Sequence, residues 1–67
     1  MRQVEKKFII KSVSSECVLS ETEYGQGLIG ISSIYHSPVV FFDTKEEAEE
    51  NIIANRRTAV TIVEIFK

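Results

Sequence analysis

Cys17 and His36 form the one pair of side chains in this sequence that could support nucleophilic chemistry. A thiol nucleophile needs a base within hydrogen-bond reach and a third group that orients that base. The two residues lie nineteen positions apart, and the sequence identifies neither an orienting acid nor a backbone anion site beside them. We therefore predict that the protein is not an enzyme and that Cys17 is a small, half-buried apolar residue.

Bound cofactors are also disfavoured by the residue types. One cysteine and one histidine cannot close a tetrahedral metal site, and a single cysteine cannot form an internal disulfide. Gly25, Gly27 and Gly30 have the G-x-G-x-x-G spacing of a dinucleotide-binding loop, but no buried parallel strand precedes them and no convincing helix follows. We predict no cofactor, and a flexible loop or bulge at these glycines.

Other side chains are candidates for binding. Tyr24, Tyr35 and His36 are amphipathic aromatic residues beside glycines and a proline, and such residues anchor many interfaces, with packing as the alternative. Arg56 and Arg57 suit a phosphate or a partner's carboxylate, or they balance a helix C-terminus. The predicted partner- or ligand-binding residues are Tyr24, Gly25, Gly27, Tyr35, His36, Arg56 and Arg57.

The charged residues disfavour nucleic acid as a partner. The net charge is −2, whereas binding to nucleic acid depends on neutralising phosphates with Lys and Arg. The densest charge run, Glu46, Glu47, Glu49 and Glu50, could imitate a phosphate backbone or contact a basic partner. A glutamate-rich first half of a helix ordinarily complements the helix dipole and keeps the protein soluble, so we interpret the run as structural.

The elements that must position these residues begin with a hairpin. Residues 6–13 are rich in β-branched and aromatic residues, which predicts a first strand. A turn at 14–16 and an alternating run at 17–23 predict a second strand that pairs with the first.

The middle of the chain gives conflicting local signals. Residues 24–27 contain two glycines one position apart and predict a turn or mobile loop. Residues 28–35 combine a helical spacing of apolar residues with poor helix formers, and we interpret them as extended. After a bend at Pro38, residues 39–42 predict a short strand. Such disagreement among signals is typical of functional segments.

The best-specified element is a helix over residues 45–55. Thr44 and Glu47 match a capping box, in which Thr44 accepts from the backbone N–H of Glu47 and Glu47 reaches back to that of Thr44. The apolar stripe of the helix is narrow and consists of Ala48, Ile52 and, as a further candidate, Ile53.

A last strand completes the predicted fold. Residues 58–66 have β-branched residues on both faces, which predicts a central position in the sheet. The fold class is therefore α+β, a small antiparallel sheet of three to four strands with one helix on one face, in the order β-β-(β)-β-α-β. All 67 residues are assigned to a single domain, 1–67.

The small size of the chain predicts self-association. A core formed by so few residues rarely contributes more than about 3–5 kcal/mol, and disulfides and metals are already disfavoured, so we predict a homo-oligomer. Only three consecutive apolar residues, at 8–10, follow the charged residues at the start, too few for a signal peptide or a membrane span. We expect a cytoplasmic protein that does not bind membranes.

Part of the sequence resembles very small bacteriophage and mobile-element proteins. In those proteins an opening strand, much like F-I-I-K at residues 8–11, leads through a variable middle to F-x-(S/T)-x-E-E-A and a closing I-V-E-(V/I) strand. Here F-D-T-K-E-E-A occupies residues 42–48 and I-V-E-I occupies residues 62–65, while the tryptophan often present mid-chain is missing. Several such proteins bind and block one host factor.

The resemblance implies a phage-encoded inhibitor of a host or anti-phage defence protein, acting in the host cytoplasm. A first alternative is an oligomer that sequesters a nucleotide or small ligand between a Gly25–Gly30 loop and the arginines Arg56 and Arg57. A second is a nucleic-acid-binding domain that uses Lys6, Lys7, Lys11, Arg56 and Arg57.

Overall fold

Four strands and one helix make up the regular structure of residues 4–35 and 38–67, which are the residues that the computed structural model describes. In chain order they are β1 (Lys6–Ser12), β2 (Cys17–Thr22), β3 (Gly25–Gly30), α1 (Lys45–Ala54) and β4 (Val60–Phe66). The strands form one antiparallel sheet in the order β3-β2-β1-β4. The α+β class, with a small antiparallel sheet and one helix, is confirmed.

The predicted central position of the last strand is wrong, because β4 lies at the edge of the sheet beside β1. Its apolar residues on both faces have another explanation. Ile62 packs with the cluster beneath α1, and Val63 packs with the cluster on the opposite face. Because both faces of the sheet are covered, an edge strand needs apolar residues on both sides.

The hairpin of β1 and β2 opens away from its turn. The two strands are in register at Lys11 and Val18, next to the turn. Further along, residues 38–42 fill the space between them. On the β2 side, the N–H of Glu21 donates to the carbonyl of Pro38 at 2.7 Å and the N–H of Val40 donates to that of Leu19 at 3.0 Å.

The same segment then pairs with β1. Phe8 and Phe42 exchange two backbone hydrogen bonds of 2.9 and 2.8 Å. Both contacts of the segment, Ser20 with Val39 and Phe8 with Phe42, are antiparallel bridges. Because β1 and β2 run in opposite directions, the chain must change direction between residues 39 and 42. The predicted short strand at 39–42 is therefore present only as two isolated bridges.

One face of the sheet is covered by α1, which packs over β1 and β4. The fully buried residues between α1 and the sheet are Ile10, Leu19 and Ala48, and half-buried apolar side chains surround them. Within the helix stripe, Ala48 is buried and Ile52 joins the cluster, but Ile53 is 75% exposed. The stripe is thus narrower than predicted, because a ten-residue helix directs only one row of side chains to the sheet.

The other face is covered by irregular chain. Ile9, Val18, Val39 and Ile65 form its buried cluster, and the half-buried residues Ile31, Ile34, Phe41 and Val63 pack against it. Of the predicted extended residues 28–35, the first three belong to β3 and the rest are irregular. Irregular chain that supplies apolar side chains can take the place of a second helix.

The helix begins and ends largely as predicted. Thr44 accepts a hydrogen bond from the N–H of Glu47 at 3.1 Å. The return bond differs from a standard capping box, since the Glu47 carboxylate accepts from the N–H of Asp43 at 3.3 Å, one residue earlier than predicted. Asn55 caps the C-terminus, and Arg56 follows with φ 51°, which turns the chain towards β4.

Candidate functional site

The turn between β2 and β3 presents Tyr24 to solvent. The Thr22 hydroxyl accepts from the N–H of Tyr24 at 3.1 Å and donates to the carbonyl of Gly25 at 2.7 Å. Gly25 has φ 114°, a left-handed conformation that side chains rarely allow. Two hydrogen bonds and one glycine thus fix the turn, while the Tyr24 side chain is 94% exposed.

The residues predicted as a glycine loop form strand β3 instead. Gly25–Gly30 pair residue by residue with Cys17–Thr22. Leu28 and Ile29 lie opposite Leu19 and Val18, and this cross-strand pairing outweighs the weak strand propensity of the glycines. The G-x-G-x-x-G spacing therefore falls on an extended strand, and the prediction of a flexible loop is wrong beyond the turn at Gly25.

A chain of side-chain hydrogen bonds joins the turn to the end of α1. The Asn51 amide donates to the Gln26 side chain at 3.1 Å, and the Nε of Arg57 donates to the Asn51 side-chain oxygen at 2.9 Å. Because Gln26 is two residues from Tyr24, these two hydrogen bonds place Arg57 on the same side of the molecule as the turn. Arg56 is adjacent and exposed. We call Tyr24, Gly25, Gln26, Arg56 and Arg57 the hairpin-tip surface.

Tyr35 lies on the opposite face of the sheet from α1, in the irregular covering chain. It is exposed, and its N–H donates to the Ser33 hydroxyl at 3.1 Å. Three residues later, Pro38 is bonded to Glu21, which pairs with Gln26. Three residues span at most about 11 Å, so the Tyr35 backbone lies near the end of the sheet that carries the hairpin tip.

The structure thus brings together part of the predicted site. Hydrogen bonds through Gln26 and Asn51 link Arg57 to the turn that carries Tyr24 and Gly25, and Arg56 precedes Arg57 in the chain. His36 lies outside the described residues. Gly27 is an internal residue of β3. Gln26 and Asn51 were not predicted, since they are 25 positions apart in the sequence and no local pattern indicates their contact.

The lysines of the nucleic-acid hypothesis do not share one face. Lys6 lies on the helix side of β1, 3.6 Å from the Glu64 carboxylate, whereas the alternation of the strand directs Lys7 and Lys11 to the opposite side. Lys11 donates to the carbonyls of Ser12 and Ser15. These contacts tie each lysine to its own surroundings instead of aligning them in a basic stripe.

Lys7 holds the segment before α1 against β1. Its ammonium group forms an ion pair with Asp43 and a second one with Glu5 at 3.3 Å. The hydrogen bond to Asp43, and after it the bond to Glu5, raises the pKa of Lys7 above its ordinary value. This contact is structural, because Asp43 directly precedes the helix cap.

Some kinds of site were not found in the described ranges, 4–35 and 38–67. There, no group of three His, Cys, Asp or Glu side chains could hold a metal ion, and no cavity is present. No helix in this part of the chain is long and apolar enough to cross a bilayer.

Comparison of the chain with protein-family models, with curated proteins and with solved structures found no match.

Proposed function

We propose that this chain is a non-enzymatic binding protein whose hairpin-tip surface contacts a partner protein. The observation that carries the proposal is the 94% exposed side chain of Tyr24 on a turn fixed by two hydrogen bonds. Binding normally costs the entropy of ordering loops and side chains. A tyrosine on a preformed turn reduces that cost and offers a large amphipathic contact.

The arginines indicate the chemistry of the partner surface. Neither Arg56 nor Arg57 forms an ion pair within the described part of the chain. Arg57 uses its Nε on Asn51, which fixes the plane of its guanidinium group and leaves its other N–H groups for a bidentate contact. A partner that offers a carboxylate beside an apolar pocket fits this combination of Arg57 and Tyr24.

The biological role that we propose follows the resemblance to small phage proteins, namely inhibition of a host or anti-phage defence protein in the host cytoplasm. Blocking requires only an affinity surface, and the hairpin tip supplies one without catalytic groups. The nucleotide-sequestering alternative keeps only the arginines of its predicted pocket, because Gly25–Gly30 form a strand.

Substitution of Tyr24 tests the proposal. Tagged protein is used to isolate the partner from a host lysate, and the affinity of the purified pair is then measured by calorimetry. We expect Tyr24→Ala to weaken binding by at least about 5-fold, equivalent to about 1 kcal/mol, the usual threshold for an important interface residue. Circular dichroism should show an unchanged fold, because Tyr24 makes no contribution to the core.

Ile53→Ala is the matched control, since it removes an exposed apolar side chain from α1, on another part of the surface. It should bind like the parent. The result that would refute the hairpin-tip surface as the binding site has two parts. Tyr24→Ala would bind like the parent, and the double variant Glu46→Ala/Glu50→Ala would lose affinity, which would place the partner on the acidic face of α1.

A further inference from the structure

Within residues 4–35 and 38–67, no strand pairs with the outer side of β3, which forms one edge of the sheet. Natural edge strands are usually protected by a lysine, a proline, an inward-pointing charge or a bulge. The sequence of β3, GQGLIG, has no charged residue and no proline. Leu28 and Ile29 are 39% and 37% exposed, one on each face of the sheet. The edge is therefore available for pairing with another strand.

The backbone groups that face this edge follow from the pairing of β2. Leu19 and Glu21 direct their bonding groups away from β3, towards Val40 and Pro38. In an antiparallel sheet, the backbone N–H and C=O of one residue point to the same side of the strand, and those of the next residue point to the other side. The N–H and C=O of Ser20 therefore point towards β3, where Gly27 is the paired residue. The outward N–H and C=O groups of β3 consequently belong to its other three residues, which are Gln26, Leu28 and Gly30.

These outward groups complement a second copy of themselves. Two β3 strands related by a two-fold axis at Leu28 would pair Leu28 with Leu28 and Gln26 with Gly30, which uses all six outward groups of each strand. No charges oppose each other in this register. Each bulky side chain other than Leu28 faces a glycine, since Ile29 lies opposite Gly27 and Gln26 lies opposite Gly30.

We propose that two copies of this chain associate through antiparallel pairing of their β3 strands, centred on Leu28, to form one continuous eight-stranded sheet. The two-fold axis is perpendicular to the sheet and places both α1 helices on the same face. On that face α1 packs mainly over β1 and β4 and reaches β3 through the hydrogen bond between Asn51 and Gln26, while Leu28 stays 39% exposed. The proposal goes beyond the proposed function and does not depend on it.

This interface does not include the two consecutive aromatic residues that precede the helix, Phe41 and Phe42. Phe41 and Phe42 are half-buried, one in the cluster of each face. Phe41 and Phe42 therefore pack against the core of their own chain, whereas Leu28 and Ile29 remain partly exposed to solvent at the edge of the sheet.

Sedimentation of the purified chain at tens of micromolar tests the association. We expect twice the 7.6 kDa mass of one chain. Leu28→Lys puts two like charges opposite each other on the axis and should halve the mass to that of a monomer, with unchanged circular dichroism. Ile53→Lys introduces the same charge at an exposed apolar site on α1 and should remain dimeric.

Disulfide trapping tests the register and does not rely on a charge at the interface. The Gly27→Cys and Ile29→Cys substitutions are made separately in a Cys17→Ser background. Each variant is oxidised alone, and an equal mixture of the two variants is oxidised in parallel. Residues 27 and 29 would form a non-hydrogen-bonded pair with Cα atoms about 4.5 Å apart, within disulfide range. A Cβ at Gly27 meets no atom within 4 Å, so the substitution fits.

A covalent dimer should form only in the mixture. A dimer from Gly27→Cys alone or Ile29→Cys alone would show a shifted register and refute the centre at Leu28. A monomeric parent, or a Leu28→Lys variant that stays dimeric, would refute the interface. A monomeric parent whose binding to a host protein is lost in Leu28→Lys would show that the edge accepts a partner's strand instead.

Discussion

At the scale of single residues, Thr44 shows what a short sequence pattern can specify. Its backbone is extended, with φ −132° and ψ 157°, and its hydroxyl accepts from Glu47 as predicted. The local spacing was sufficient because cap and partner are three residues apart. The contact between Gln26 and Asn51 could not be predicted in this way, since it depends on how β3 and α1 are placed in the complete fold.

Loss of the cap gives a measurable stability change. We expect Thr44→Ala to lower the free energy of unfolding by about 1 kcal/mol, because one N–H of the first helical turn loses its acceptor. Denaturant unfolding followed by circular dichroism measures the change. Thr58→Ala, at an exposed position outside the strands and the helix, is the control and should stay within about 0.5 kcal/mol of the parent. A change near zero for Thr44→Ala would indicate that Asp43 replaces it as the cap.

Lys7 makes stability depend on pH at the alkaline end. Because its pKa is raised in the folded chain above the ordinary value of 10.5, its contribution is fully present below pH 10.5 and is lost as the pH rises through the folded pKa. We expect the difference in melting temperature between the parent and Lys7→Met to be constant from about pH 6, where carboxylates are ionised, to pH 10.5 and to shrink above pH 10.5.

Lys45→Met is the control for general effects of removing a lysine, since Lys45 is exposed at the first position of α1. Its difference from the parent should not show the same alkaline decline. A Lys7→Met difference that stays constant across the whole range would contradict the role given to the Asp43 and Glu5 contacts.

At the scale of elements, the sequence predicts β1, β2 and α1 to within one or two residues, because periodicity, propensity and capping agree there. It fails for β3, whose glycines indicate a loop when they are considered alone. Pairing with β2 decides that segment, and pairing partners are not encoded locally. The edge position of β4 could not be predicted for a related reason. Apolar residues on both faces of a strand show that both faces of the sheet are packed against other residues, but they do not show whether a strand pairs with each of its two edges.

The segment at 38–42 is expected to stabilise the fold although it is not a regular strand. Val39 is buried and bridges Ser20 between the separated ends of β1 and β2. Val39→Ala should lower the free energy of unfolding by about 2 kcal/mol through lost apolar burial and a small cavity. Val13→Ala removes the same atoms at an exposed position and should change it by less than about 0.5 kcal/mol. Equal effects in chemical denaturation would show that the segment does not pack as described.

At the scale of the whole molecule, the small size of the chain leads us to predict self-association, but the sequence alone does not show which surface would be used. The open edge of β3 becomes visible only once the strand order is known. In the proposed dimer the two Tyr24 residues are eight strand positions apart, which corresponds to about 27 Å. The hairpin tips would then be displayed at opposite ends of the shared strand pair, an arrangement suited to a partner that is itself two-fold symmetric.

The pairing of β1 with β4 has a mechanical consequence. Lys6 lies opposite Phe66, and Glu5 and Lys67 exchange two backbone hydrogen bonds of 3.0 and 2.9 Å just beyond them. A force that pulls residues 4 and 67 apart therefore acts at one end of the ladder and opens it like a zipper, one bonded pair at a time, instead of shearing all pairs together. A proteolytic unfoldase that pulls on the chain at Lys67 would peel the edge strand β4 from β1 one bonded pair at a time, whereas a pull at residue 4 must also break the hydrogen bonds between β1 and Phe42.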